Sequence, residues 1–457
     1  MNTAAGTVSA ADIIAAARRA GVVGAGGGGF PLHAKLASRA GAPPVDTVIA
    51  NGAECEPLLH KDAELMALHP EGVVEGVRAL MEATGAEKGL IGIKAKHVEA
   101  IEALKPHLGD GVELHILGDF YPTGDEYVLV YEATGRLIPP GGIPLNVGVV
   151  VQNVETLYNI SRARQGQSVT RKFLTVAGAV RKPISCEVPI GITFRELLEL
   201  AGGTASDDCA LLVGGAMMGY LTRDLEERVT KTTGGMIVLP GDHDLIRRKE
   251  RPETAMHQIG KSACDQCSYC TEMCPRFLLG YDVQPHKVMR SLVFSMSGED
   301  FWSQYGTLCC ECSLCTLYAC PEDLYPREAC QQSKRLSKEK GFSWPGHGTL
   351  SGTPEVKPHP MQESRHIPLK QLIQRLGLTR YDLPAPFAEV EIQPGRVQLP
   401  LQQHVGAPSV PVVAEGAQVK AGDLVAEIAE GQLGARIHAS IDGTVVDAGG
   451  EIVIEAG

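Results

Sequence analysis

Apolar and polar residues follow one another in two rhythms along this chain, and the places where the rhythm changes divide it. In the first third, short β-branched apolar runs alternate with amphipathic stretches of helical period. Strands are predicted over 45–50, 89–94, 112–118 and 147–151, and helices over 71–84 and 97–106. A further helix opens at Tyr121-Pro-Thr-Gly124-Asp125-Glu126 and ends near Gly135. Ahead of the first strand lie a helix over 9–20, with Ser9 as N-cap and Gly21 as its stop, and a second over 32–40. Strands that alternate with helices predict a parallel sheet, so residues 1–165 read as one Rossmann-like α/β domain.

From residue 172 the period shortens. Residues 173–180 and 185–189 read as a hairpin, 193–201 as a helix, and 210–213 and 236–239 as further strands. A helix laid across a small mixed sheet is the β-grasp pattern, expected over 168–240. The glycines of 214–219 and 231–235 read as turns that could pack against a bound group. Residues 255–335 hold a helical stretch near 285–297, with His286, Val288, Met289, Leu292 and Val293, which favours a helical module. Glycine, proline, serine and histidine crowd 341–366, read as a linker with solvated histidines. A short helix over 368–376 belongs to the same connecting segment, 341–388. Short strand-like runs punctuated by Gly and Pro fill 389–457 and look like the barrel-sandwich fold of biotinyl and lipoyl domains. Those domains present a lysine at a hairpin tip. Here the tip reads His438-Ala-Ser-Ile-Asp-Gly443, so docking is expected rather than a swinging arm. The fold class is multidomain, α/β and α+β.

A net charge of −12 with no basic block excludes nucleic acid and anionic membrane surfaces as partners. No apolar run approaches a bilayer span and no secretory leader is visible, so a cytoplasmic protein without direct membrane insertion is expected.

Thirteen cysteines change the picture. The first knot runs C-x2-C-x2-C-x3-C-P through Cys264, Cys267, Cys270 and Cys274; the second runs C-x2-C-x2-C-x4-C-P through Cys309, Cys312, Cys315 and Cys320. This is the iron–sulfur run of two-cluster ferredoxins, in which the last cysteine of each knot ligates the neighbouring cluster. The expected 4Fe–4S ligand sets are Cys264, Cys267, Cys270 with Cys320, and Cys309, Cys312, Cys315 with Cys274. A pair of zinc sites, the rival reading, has no use for a third cysteine at the same spacing. Cys310 falls outside the register. With Cys55, Cys186, Cys209 and Cys330 it is read as an inert thiol, and the whole usage fits a reducing compartment.

The stretch Gly24-Ala-Gly-Gly-Gly-Gly-Phe30-Pro31 formally satisfies G-x-G-x-x-G, but a helix rather than a strand precedes it. It is read as backbone able to approach a planar or phosphorylated ligand closely. Asn51-Gly-Ala-Glu54-Cys-Glu56-Pro57 follows a strand, at the end where open α/β sheets bind ligands.

Taken jointly, these stretches resemble the NADH-binding flavoprotein subunit of respiratory complex I and its relatives, the RnfC subunits. The family's G-R-G-G-A-G-F-P loop for flavin mononucleotide (FMN) is matched through Gly24, Gly26, Gly27, Gly29 and Phe30, with Ala25 in place of arginine. Its N-x-x-E-x-E-P is matched by Asn51, Glu54, Glu56 and Pro57, and its Y-x-x-G-E-E by Tyr121, Gly124, Asp125 and Glu126. Its N-N-V-E-T-L is matched by Gln152, Asn153, Val154, Glu155, Thr156 and Leu157, and Lys35 falls at or near a family lysine that helps seat flavin or nucleotide. The resemblance implies FMN, NADH as electron donor, and Glu54, Glu56 and Glu126 as groups that orient nicotinamide, ribose or water. It also names the β-grasp segment an SLBB domain. RnfC subunits usually carry the barrel-sandwich at the N-terminus. Its C-terminal place here is similar to the cobalamin reductases of propanediol-utilisation microcompartments, as is the extra residue in the second knot. That order implies cobalamin as acceptor and a place within or at a bacterial microcompartment, with a shell protein and an adenosyltransferase as partners. The alternatives are an RnfC-like NADH:ferredoxin-type oxidoreductase and a non-catalytic adaptor that conducts electrons at a shell.

Overall fold

Strand β1 (Thr47–Gly52) lies inside a parallel sheet, with β2 (Lys88–Lys94) and then β3 (Val112–Leu117) on one side and β5 (Val149–Asn153) on the other. The structure is a computed structural model and describes residues 9–37, 43–204, 206, 208–292, 304–341 and 356–457. Side chains of β1 alternate between two apolar layers, as the period of a strand requires. Val48 and Ala50 face a core shared with α1 (Ala10–Arg19), α4 (Pro70–Thr84) and α7 (Val154–Arg164). Ile49 faces the other, shared with Leu129 and Val130 of α6 (Glu126–Thr134). Helices on both faces explain why the strands read as continuous apolar runs.

Local signals explain several boundaries. Ser9 and Asp12 form a reciprocal capping box that starts α1, and Gly21, at φ +67°, lets the chain turn after it. Helix α2 (Leu32–Ala37) follows the glycine loop; its expected continuation over 38–40 lies outside the described residues. The pattern missed α3 (Lys61–Leu68), whose first turn is capped by a carboxylate from Glu54 rather than by its neighbours. Helix α5 (Val98–Leu104) completes the alternation, and α7 packs so closely on α4 that a Cβ on Gly76 would meet the Leu157 carbonyl oxygen at 2.0 Å.

The β-grasp sheet takes the order β7 (Ile184–Pro189), β6 (Arg171–Gly178), β10 (Gly235–Pro240), β8 (Cys209–Val213), β9 (Tyr220–Thr222). β6 and β10 are parallel and the other pairs antiparallel, with α8 (Phe194–Leu200) started by a Thr193–Glu196 capping box. β9 is too short to show in the sequence pattern.

Among the described residues the cysteine module holds helices and no strand: α9 (Asp244–Lys249), α10 (Glu253–Ala263), α11 (Tyr269–Glu272), α12 (Pro275–Leu278), α13 (Pro285–Ser291) and α14 (Pro326–Glu339). The stretch expected to run to 297 ends its described part at Leu292, and Val293 lies outside it. The extra residue in the second knot is absorbed by a π-turn over Cys315–Ala319, with Cys320 N donating to Cys315 O across 3.2 Å.

The histidine-rich segment departs from expectation. His366 is stacked on Phe120, with ring centroids 3.8 Å apart, and is half-buried rather than freely solvated. The next two residues form β11 (Ile367–Pro368), which pairs with β4 (Phe120–Tyr121), and α15 (Leu369–Arg375) buries Leu369, Leu372 and Ile373 behind it. Burial in exchange for solvation is the physical reason: an aromatic face next to imidazole offers more apolar contact than water does. Residues 342–355, with His347, lie outside the described residues.

The C-terminal barrel-sandwich joins a four-stranded and a three-stranded sheet, and the stretch read as its tip packs against the rest of the chain. Ser440 Oγ donates to Ile190 O at 2.6 Å, and His438 is buried. Lys231, also buried, donates to Gly21 O and Arg436 O, tying the N-terminal α/β, β-grasp and barrel segments at one nitrogen. Among the described residues no helix is long and apolar enough to cross a membrane.

Candidate functional site

The first sheet reverses its winding between β1 and β5, and their C-terminal ends pair Asn51 with Asn153. That switch point is where open α/β sheets leave a crevice. A cavity of about 340 Å3 opens there, within the usual size of a small-molecule site. The glycine loop forms one wall. Gly24 N donates to Phe30 O and Gly29 N to Gly24 O, each at 3.0 Å, closing the loop on itself, while Thr156 Oγ accepts from Ala25 N at 2.9 Å. Gly27 has φ +100°, and a Cβ on it or on Gly28 would meet no atom within 4 Å, so this backbone faces open space. A Cβ on Gly26 would press on Asn153 at 3.2 Å. Such bare backbone suits a flat or phosphorylated group brought close to the amides.

The expected contact residues separate into two kinds. Gly26, Gly27, Asn51, Gly124, Glu126 and Asn153 line the cavity directly, as do Glu54, Glu56, Tyr121 and Asp125. Several carboxylates among them are already engaged. Glu54 accepts from Asp62 N and Ala63 N, and Glu56 accepts from Met217 N and Met218 N at 2.9 and 2.8 Å. Asp125 caps α6 and receives Arg276 Nη2 at 2.8 Å, just beyond Cys274. Tyr121 donates its hydroxyl to Cys312 O at 2.8 Å. Glu126 alone of the three glutamates stays half exposed, with Lys35 at 3.6 Å, and Lys35 also donates to Val151 O at 2.8 Å.

Gly24, Gly29, Phe30, Lys35, Glu155 and Thr156 do not line the cavity. Glu155 is 1% exposed and lies behind the glycine loop, against Lys172, Lys61 and Phe173 N. Lys172 in turn donates to Ala25 O at 2.9 Å, so the buried carboxylate fixes the loop from beneath. Sequence reasoning did not single out Lys61 or Asp62, which also face the cavity, and read Cys310, in the same wall, as an inert thiol. Gly214, Met218, Thr232 and Gly234 reach it from the two glycine-rich β-grasp turns. Cys55 stands in the same wall, and burial pushes its thiol up to about 11, favouring the protonated form.

Glu54 gives a measurable consequence. Burial, and then the charge of Asp62, raise its pKa from 4.5 to about 8, with Lys61 opposing. A carboxyl whose folded pKa is raised binds more protons folded than unfolded between those values. The contribution of Glu54 to stability is therefore fullest below about pH 4.5 and is lost as pH rises towards 8. In flavin-free protein, denaturant midpoints should decline from pH 5 to 8, and Glu54→Gln should flatten that slope. An unchanged slope would assign it to other groups.

The thiols gather across the knots. Cys270 faces Cys320, Cys264 and Cys267, and burial with those neighbours pushes it up to about 12. Cys315 faces Cys309, Cys270 and Cys274, while Cys312 faces first Cys310 and then Cys274 and Cys315. Each knot repeats one backbone device: Gln266 and Ser268 at φ +62° and +65°, Glu311 and Ser313 at +60° and +66°. These left-handed residues fall at equal distances after Cys264 and Cys309, which makes Cys309, not Cys310, the counterpart of Cys264. Cys267 is exposed, whereas Cys312 lines the glycine-loop cavity, so the first knot reaches the surface and the second faces the cavity. Backbone and side-chain N–H groups reach the sulfurs, among them Gln266 Nε2 to Cys264 at 3.2 Å and Leu324 N to Cys320 at 3.3 Å. Neighbouring thiols reached by N–H donors suit an inorganic cluster that takes thiolate ligands.

Comparison with known proteins fits this geometry. The Nuo51 FMN-binding domain family matches residues 17–162 and the SLBB domain family 173–221. The 4Fe-4S dicluster domain family matches 263–325, which sets the zinc reading aside, and the RnfC barrel sandwich hybrid domain family matches 386–455. The chain is 44% identical over 429 residues to the cobalamin reductase PduS of Citrobacter freundii, covering 94% of this chain and 92% of that one. Against the PduS of Salmonella typhimurium it is 43% identical over 440 residues, 96% and 95% of the two chains. A component of the proton-translocating ferredoxin:NAD(+) oxidoreductase complex of Clostridium ljungdahlii is 36% identical over 278 residues, 59% of this chain and 57% of that one.

Proposed function

The chain belongs to the PduS cobalamin reductase family, and we propose that it takes electrons from NADH at the glycine-loop cavity and delivers them singly to cobalamin. The observation that carries this reading is the shared wall: Cys310 and Cys312 line the same cavity as Gly26 and Asn153. A flavin seated there would convert a hydride's electron pair into single electrons, and 4Fe–4S clusters would carry them outward.

The chain's own residues do the rest. Amides of Gly26 and Gly27, with Asn51 and Asn153, would hold FMN, and Lys35 and Glu126 would meet its rim or the nicotinamide. Cys309, Cys312, Cys315 and Cys274 would ligate the cavity-side cluster, and Cys264, Cys267, Cys270 and Cys320 the outer one. Tyr121, by binding Cys312 O, keeps the cavity and the inner tetrad at one separation. Glu56 does the same for the β-grasp loop, through Met217 N and Met218 N. No side chain here is assigned as an acid or base. The division into 1–165, 168–240, 255–335, 341–388 and 389–457 remains the proposed domain plan, with the connecting segment packed rather than free. Location within or at a cytoplasmic microcompartment, beside a shell protein and an adenosyltransferase, is proposed on family membership alone.

Anaerobically reconstituted protein should contain FMN and about eight iron atoms per chain. NADH should bleach it, and cob(III)alamin should reoxidise it faster than ferredoxin does. Preference for ferredoxin would favour the RnfC-like alternative. Absence of FMN binding or of NADH bleaching would leave only a conducting adaptor.

A further inference from the structure

We propose that the acceptor's nucleotide tail seats in a second cavity, of about 420 Å3, between α9 and the loop that leaves the second cysteine knot. The chemistry it fits is a phosphodiester flanked by an aromatic ring, as in the phosphoribosyl-benzimidazole tail of cobalamin. The assignment rests on the acceptor named above.

Arg247, Arg248, Arg251 and Arg375 line this cavity against two carboxylates, Asp244 and Asp323, on a chain whose net charge is −12. Asp323 works as a frame: it accepts from Arg248 at 2.9 Å and from Arg375 at 2.8 Å. Arg248 also donates to Thr316 O at 2.7 Å, and its Nε is buried without a hydrogen-bond partner. Arg247 and Arg251 are the outer arms; Arg247 is 63% exposed and donates to the exposed Asp244 at 3.3 Å, and Arg251 lies 5.6 Å from the Tyr325 ring centre. Leu245, Leu317 and Leu376 supply apolar lining. Guanidinium forks match phosphate oxygens, and the arginine–tyrosine pair offers a face for a planar ring. The volume suits such a tail but not a whole corrin, which would lie across the mouth.

Position gives the site its meaning. Arg375 donates to Cys320 O at 3.3 Å, so the cavity borders the outward tetrad, and it shares no residue with the glycine-loop cavity. Electrons would enter at one cavity and leave at the other. Each transfer places one electron on cobalt, so NADH, oxidised to NAD+ with release of a proton, reduces a pair of cob(III)alamins to cob(II)alamin.

The test compares loaded wild type with Arg247→Ala/Arg251→Ala, using hydroxocobalamin and cobinamide, which lacks the nucleotide tail. Arg396→Ala on the barrel surface is the charge control, and bleaching by NADH reports a folded, loaded protein. The double variant should raise KM for cobalamin about tenfold, leave KM for cobinamide and for NADH unmoved, and wild type should prefer cobalamin. An unchanged KM for cobalamin, or no preference over cobinamide, overturns the seat and leaves the reductase reading standing. A KM shift for NADH instead would assign the anion to the dinucleotide and overturn the proposal. Bleaching by NADH with no cobalamin reduction by wild type would overturn the reading and the seat together.

Discussion

Glu155→Ala is expected to destabilise the protein by about 3–5 kcal/mol, the cost of stripping a buried ion pair of one partner. Glu155 is 1% exposed and meets Lys172, Lys61 and Phe173 N with its two oxygens. Removal leaves two buried ammonium groups to share Asp62, which touches Lys61, and the more distant Glu54. Burial pushes Lys172 down to about 8 even with Glu155 present, so without it the lysine would shed its proton near neutral pH. The damage should reach the cavity, because Lys172 also holds Ala25 O. Glu155→Gln keeps the shape and the acceptor for Phe173 N and should cost less. Urea midpoints at constant slope, with flavin content per chain, measure both effects. A loss below about 1 kcal/mol would mean the lysines find other partners.

The second large effect concerns the crossing of the knots. Cys274→Ala should empty the cavity-side tetrad and Cys320→Ala the outer one, each halving the iron to about four atoms per chain. The two should differ in kind. With Cys320→Ala, NADH should still yield a reduced cluster signal by electron paramagnetic resonance, since the tetrad beside the flavin cavity remains. With Cys274→Ala, the nearer relay is gone and reduction of the remaining cluster by NADH should slow sharply, while dithionite still reduces it. Equal behaviour of the two variants, or loss of both clusters from each, would refute the crossed assignment.

Much of this is legible in the residues alone. The cysteine spacing announces its chemistry because cluster geometry leaves few ways to wrap a chain around it, and buried parallel strands announce themselves by unbroken apolar runs. What stays hidden depends on distant partners. Helix α3 begins with Lys61-Asp62, a charged start with a weak apolar face, and its cap comes from Glu54 eight positions upstream. β4 consists of two residues and exists because Ile367 and Pro368 lie beside it. Glu155 stands in a flavin-family motif, yet it acts through a lysine and a carbonyl behind the loop; motif matching cannot tell a contact from its support. Register excludes Cys310 from the tetrads and so suggests an inert thiol, but register says nothing of its place in the cavity wall.

The held tip of the barrel-sandwich has a bearing on how such chains can be rearranged. Ser440 on Ile190, Lys231 on Arg436, and Val405 N on Gly29 O at 2.9 Å are contacts through space, and none needs the peptide that leads into residue 389. A keystone set by its faces can be mortared in from either end. Moving the last seventy or so residues ahead of the first helix, on a linker long enough to span the gap, would leave the arch intact, whereas deleting them would strip apolar surface from the core that α1 and β6 share with Val397, Leu399 and Ile437.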